Sequence, residues 1–155
     1  MEQPKFSVQY FVDKFENTKE EEWGTGTEAW NPNSKTSCAL GKCGEILSKA
    51  EGGGYNYPTR TPESRYLIEL FREYFLLKYP DYTREINEME KRLVYSINDE
   101  IEIVGIHSSM WGKTPKERIL NVLYEIKAMK EQEEVDKVDI TEIHNVLQEQ
   151  SELVN

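Results

Sequence analysis

Residues 61–80, TPESRYLIELFREYFLLKYP, decide the fold class. Leu67, Leu70, Phe71, Tyr74 and Leu77 recur at intervals of three and four, the spacing of one face of an α-helix. Thr61 can cap such a helix, Pro62 suits its first position, and Pro80 stands where the helix must end.

The same spacing recurs on both sides. In SVQYFVDKFEN (7–17), Ser7 precedes Val8, Phe11, Val12 and Phe15, which predicts a capped helix. Thr18 and Glu21 have capping-box spacing, so a helical turn is expected to end near Trp23. GTGTEAWNPNSKT (24–36) is rich in Gly, Pro and Asn and reads as a loop or ragged hairpin anchored by Trp23 and Trp30. SCALGKCGEILSKA (37–50) reads as a helix with Cys38, Ala39, Cys43, Ile46 and Leu47 inward, and EGGGYNYPTR (51–60) as a flexible break.

On the C-terminal side, Thr83 predicts the cap of a helix carrying Ile86, Met89, Leu93 and Val94. YSINDEIEIVGI (95–106) then alternates, and a short strand is expected over 101–106. HSSMWGK (107–113) is a loop. Thr114, Pro115 and Glu117 open a helix with Ile119, Leu120, Leu123 and Ile126 facing inward. In the polar remainder, Thr141 predicts a final helix bearing Ile143, Val146, Leu147 and Leu153. The expected architecture is a mainly α single compact domain of five to six helices with a minor β element. The helical domain covers 1–130, and 131–155 form a polar tail with a C-terminal helix.

The chain has 155 residues, with 29 acidic against 19 basic, a net charge of −10. Phosphate backbones repel such a chain, so general nucleic-acid binding is not expected. The acids alternate with bases, as in REINEMEKR, which suits solubility more than a single docking patch. No apolar run approaches the roughly 18 residues of a membrane span, and the first residues, MEQPKFSVQYF, do not resemble a secretion signal. Reduced cysteines and a cytosolic location are expected.

Chemistry has few candidates. Cys38, at the start of a predicted helix, is a candidate nucleophile; His107 is its candidate base, and Asn98 or Asp99 can orient the imidazole. A buried, inert cysteine is the competing account. Cys-x4-Cys lies at the wide end of zinc-knuckle spacing, and the chain has only two histidines to complete a tetrahedral site, so no metal site and no cofactor are expected. The GGG at 52–54 lacks a following Lys-Ser or Lys-Thr and reads as a hinge. Trp111, Tyr55 and Tyr57, on polar or Gly-rich loops, are candidate binding residues together with Asn98; the alternative is that such aromatics lid the core.

Four stretches together carry a likeness: Phe11, Lys14, Phe15 and Glu16 followed by Trp23 and Gly24; CALGKCG at 38–44; SINDE at 96–100; and TPKERIL at 114–120. In these the chain resembles an uncharacterised family of small proteins of tailed phages and bacteria. Glu100 stands where that pattern has glycine, and the interval between the second and third motifs is longer. The resemblance implies a mainly helical phage accessory protein, and its motifs imply no catalytic role. The expected function is therefore binding to a host protein or a small signalling molecule in the host cytoplasm, interfering with a process such as antiviral defence. The alternatives are a hydrolase or transferase using Cys38 and His107, and a structural protein of the virion that uses exposed aromatics as homo-oligomeric contacts.

Overall fold

A computed structural model describes residues 6–25, 36–43 and 61–154. The protein is mainly helical: α1 spans Val8–Glu16, α2 Pro62–Lys78, α3 Thr83–Glu88, α4 Leu93–Asn98 and α5 Pro115–Val154. Among the described residues, β structure is limited to two isolated bridges.

The predicted caps of three helices are in place. Backbone N–H groups of Tyr10, Ser64 and Glu117 each donate, over 3.1 Å, to the hydroxyls of Ser7, Thr61 and Thr114. This satisfies donors that the first helical turn leaves unpaired. The inward faces of α1, α2 and α5 then meet. Phe11, Phe15, Leu67, Phe71, Phe75, Ile119, Val122 and Leu123 are all fully buried in one core. Leu77, expected on the inner stripe of α2, is instead 62% exposed. The last turn of α2 aims Lys78 and Tyr74 at α5, which rotates Leu77 towards solvent.

Polar contacts lock the helices at their ends. Glu63, in the first turn of α2, accepts from Tyr10 (3.0 Å) and Lys14 (2.5 Å) of α1. Lys116, at the start of α5, donates to the carbonyl of Thr18 just past the C-terminus of α1 (2.6 Å). That is the end of a helix where a cation is favoured.

Three expectations for the remaining segments are corrected. The helix predicted over 37–50 is, within 36–43, a single 3₁₀ turn at Leu40–Lys42, and the residues beyond lie outside those described. Ser37 is held extended by Trp23, whose neighbours Glu22 and Gly24 exchange backbone bonds with it (3.0 and 3.1 Å). Those distant partners compete with the local helix. Thr83 is not a cap: its hydroxyl donates back to the Pro80 carbonyl (2.7 Å), and the helix it opens is interrupted at Met89 before Leu93 restarts it as α4. The strand predicted over 101–106 is a two-residue turn closed by Ile103 and Ile106. Only Ile103 of that run is fully buried, and Ile101 is 45% exposed.

α5 runs unbroken for 40 residues, about 60 Å at 1.5 Å per residue, so the polar tail continues the helix and Thr141 starts no new one. Its N-terminal part packs on the core, whereas every residue from Glu131 to Lys137 is exposed.

Candidate functional site

The four motif stretches converge on two side chains that link α4 to its neighbours. Asn98, the last residue of α4, is fully buried. Its amide oxygen accepts from Ala39 N–H (3.1 Å) and its amide nitrogen donates to the Gly24 carbonyl (2.9 Å) and to Asp99 Oδ1 (2.8 Å). Arg118 of α5 is 2% exposed; it donates to the carbonyls of Ile97 (2.8 Å) and Asn98 (2.7 Å), at the C-terminal end of α4 where the helix supplies few partners. Two side chains thus join the segment after Trp23, the CALGKC turn, α4 and α5. Asn98, expected as a binding residue, has its amide engaged on backbone groups and in the interior, which makes it a structural clasp. A buried arginine was not foreseen; TPKERIL shows it only as one charged residue in a charged first turn.

Burial and charge disfavour the Cys38, His107 and Asp99 combination as a nucleophilic site. Cys38 is 4% exposed, whereas His107 lies on the exposed side of the loop that follows α4. Burial pushes the Cys38 thiol above its ordinary range, and the Asp99 carboxylate adds to this. The N–H groups of Gly41 and Leu40 and the Lys42 ammonium act in the opposite direction without reversing the shift. Asp99 therefore lies where it disfavours the thiolate that catalysis needs. Cys43 is pushed up as well, by burial first and then by Glu63. Among the described residues no group of three His, Cys, Asp or Glu side chains is placed to hold a metal ion.

Trp111 and its neighbour Met110 divide between core and surface. They share a 3₁₀ turn, Ser108–Trp111, and adjacent side chains on so tight a turn cannot both point inward. Trp111 is the buried one, 4% exposed, with its ring edge-on to Phe75 at 5.7 Å. Its indole N–H donates to Glu125 (2.9 Å), and lies 3.2 Å from the Tyr74 hydroxyl. Lys78 completes the group by donating to that hydroxyl (2.9 Å) and to Glu125 (3.1 Å). Burial first, and then Glu125, pushes the Tyr74 phenol up to about 12. Hydrogen bonds from Tyr74, Lys78 and Trp111 outweigh partial burial and hold the Glu125 carboxyl below its usual range. The reading of Trp111 as an exposed anchor is thereby corrected: its apolar bulk and its N–H are both satisfied inside. Tyr55 and Tyr57 lie outside the described residues.

What projects instead is Met110, 60% exposed, together with Ile101. The Ser108 hydroxyl donates to the Ile101 carbonyl (2.6 Å), drawing the Met110 turn against the start of the loop. Between them, Val104 and Gly105 form the tip of the Ile103–Ile106 turn, both at positive φ (43° and 84°). Positive φ at both central residues is the geometry of a tight hairpin turn that favours Asn-Gly. Glu100 also has positive φ, 61°, and the Ile101 N–H reaches back to the Ser96 carbonyl (2.8 Å). That is the helix-ending arrangement that favours glycine, so the tight turn persists although glutamate fills it. The signals for this surface were the Met-Trp pair and the glycine after Val104, which the predicted strand obscured. Comparison of the chain with protein-family models, with curated proteins and with solved structures gives no match.

Proposed function

We propose that this protein acts by binding rather than by catalysis, and that its contact surface is the loop from Glu100 to Met110 between α4 and α5. The observation that supports this best is the division at Met110 and Trp111. A buried tryptophan with a satisfied N–H pins the loop from beneath, while Met110 and Ile101 stand in solvent. Large apolar side chains held on a fixed loop lose little conformational freedom when they meet a partner. The high-lying, buried Cys38 thiol speaks against the enzymatic alternative. On the strength of the motif resemblance, the protein is read as a phage accessory factor that binds a host component.

Affinity capture from host lysate with the unmodified protein and with a Met110→Ser, Ile101→Ser variant tests this reading. A partner retained by the first and lost from the second is the expected result. Equal capture by both, with both folded, overturns the assignment of this surface. Thiol-dependent turnover that is abolished in Cys38→Ser overturns the non-enzymatic reading.

A further inference from the structure

We infer that the partner of this loop is a basic, apolar protein segment, with its hydrophobic side chains on Met110, Ile101 and Val104 and its Lys or Arg side chains on Glu100 and Glu102. Such a partner presupposes the contact surface proposed above.

Glu100 and Val104 are the non-glycine residues with positive φ among those described, and both lie in this loop. At each, the backbone favours a different residue. Glycine would relieve position 100, and Asn or Gly would relieve position 104, where a β-branched side chain is least tolerated. The loop therefore carries an acid and an aliphatic group against local backbone preference. Each side chain has a partial internal role and stays partly open to solvent. Glu100 is 55% exposed and its nearest basic partner, Arg118, stands 3.9 Å away. Val104 is partly buried, with part of its side chain packed against the core. Side chains kept at a strained position and still partly open to solvent suit an external partner.

Charge chooses among occupants. Glu102 is exposed, with its carboxylate over Gly105, and Glu100 stands at the loop's other margin. A second copy would bring these acids against themselves in a chain of net charge −10, and nucleic acid or an anionic membrane would be repelled likewise. A cationic segment with apolar residues meets both features of the surface. The other strongly exposed apolar residues, such as Leu77 and Val135, sit on different helices and lack this combination of strain and acids.

Fluorescence anisotropy with three labelled synthetic peptides of equal length, built from Lys and Leu, from Lys and Ser, and from Glu and Leu, tests the inference. The unmodified protein should bind the Lys/Leu peptide, less tightly as salt rises, and discriminate against the other two. Met110→Ser should weaken that binding by about tenfold or more, the equivalent of one buried apolar side chain. Glu100→Gln with Glu102→Gln should weaken it about threefold to tenfold and flatten the salt dependence. Leu77→Ser, on another surface, should leave it unchanged, which controls for general attraction to an acidic protein. Equal binding of the Lys/Leu and Glu/Leu peptides, both lost in Met110→Ser, overturns the basic partner while the contact surface stands. Lys/Leu binding that Met110→Ser does not alter overturns the surface as well. No binding of the Lys/Leu peptide overturns the partner class.

Discussion

Truncation of Trp111 separates a core tryptophan from a surface anchor by a wide margin. In Trp111→Ala the indole leaves a site that is 4% exposed, bounded by Phe75 and by the Tyr74–Glu125 pair. Loss of a buried aromatic ring costs about 3–5 kcal/mol, part of it from the cavity left behind. Trp111→Phe keeps most of the ring and removes the N–H. Glu125 still accepts from Tyr74 and Lys78, and its side chain is 44% exposed, so it is not stranded. The expected cost of this milder change is about 1–2 kcal/mol, for one hydrogen bond and a smaller void. For a chain of this size each kcal/mol lowers Tm by about 2–4 °C, so the alanine variant should melt roughly 6–20 °C lower. Urea and thermal unfolding, followed by far-ultraviolet circular dichroism, measure both variants. Met110→Ala provides the contrast, at within about 0.5 kcal/mol of the unmodified protein. A loss below about 1 kcal/mol for Trp111→Ala would refute the account of this residue as the pin beneath the loop.

Three further outcomes follow from the same packing. Asn98→Ala should cost about 2–4 kcal/mol, because the Ala39 N–H and the Gly24 carbonyl both lose their partner, and Asn98→Asp should not restore stability, since its second oxygen would face that carbonyl and Asp99; chemical denaturation of both variants checks this. Glu125, whose pKa is lowered on folding, contributes stability that is present above the ordinary glutamate range, about 4.3, and is lost as pH falls through its folded value; Glu125→Gln should flatten this acid limb, and unchanged acid melting curves would count against the network. Cys38 and Cys43, both buried with raised pKa, should resist thiol reagents at neutral pH until the protein is unfolded, and rapid native labelling of Cys38 would revive a catalytic role.

Helix positions and their caps were legible because they depend on neighbours three or four residues away. Ser7, Thr61 and Thr114 cap as their spacing predicts, and the stripes they precede form the core. A mainly helical fold follows from those local patterns alone. The segments that departed from expectation are those whose backbone bonds come from far along the chain. Ala39 is held by Asn98, 59 residues later, and Ser37 lies beside Trp23, so the small-residue CALGKC run is a packed turn rather than a helix. Its cysteines fill the interior because short side chains allow that close approach. The buried Arg118 looks, in sequence, like any exposed charge, since only the carbonyls at the end of α4 give it a place inside. The same holds for Met110 and Trp111. Sequence shows two large apolar residues side by side, and only the position of Tyr74, Phe75 and Glu125 decides which one turns inward. Short-range geometry is written in adjacent residues, whereas burial, and with it the surface left to meet a partner, depends on which distant groups complete each other's hydrogen bonds.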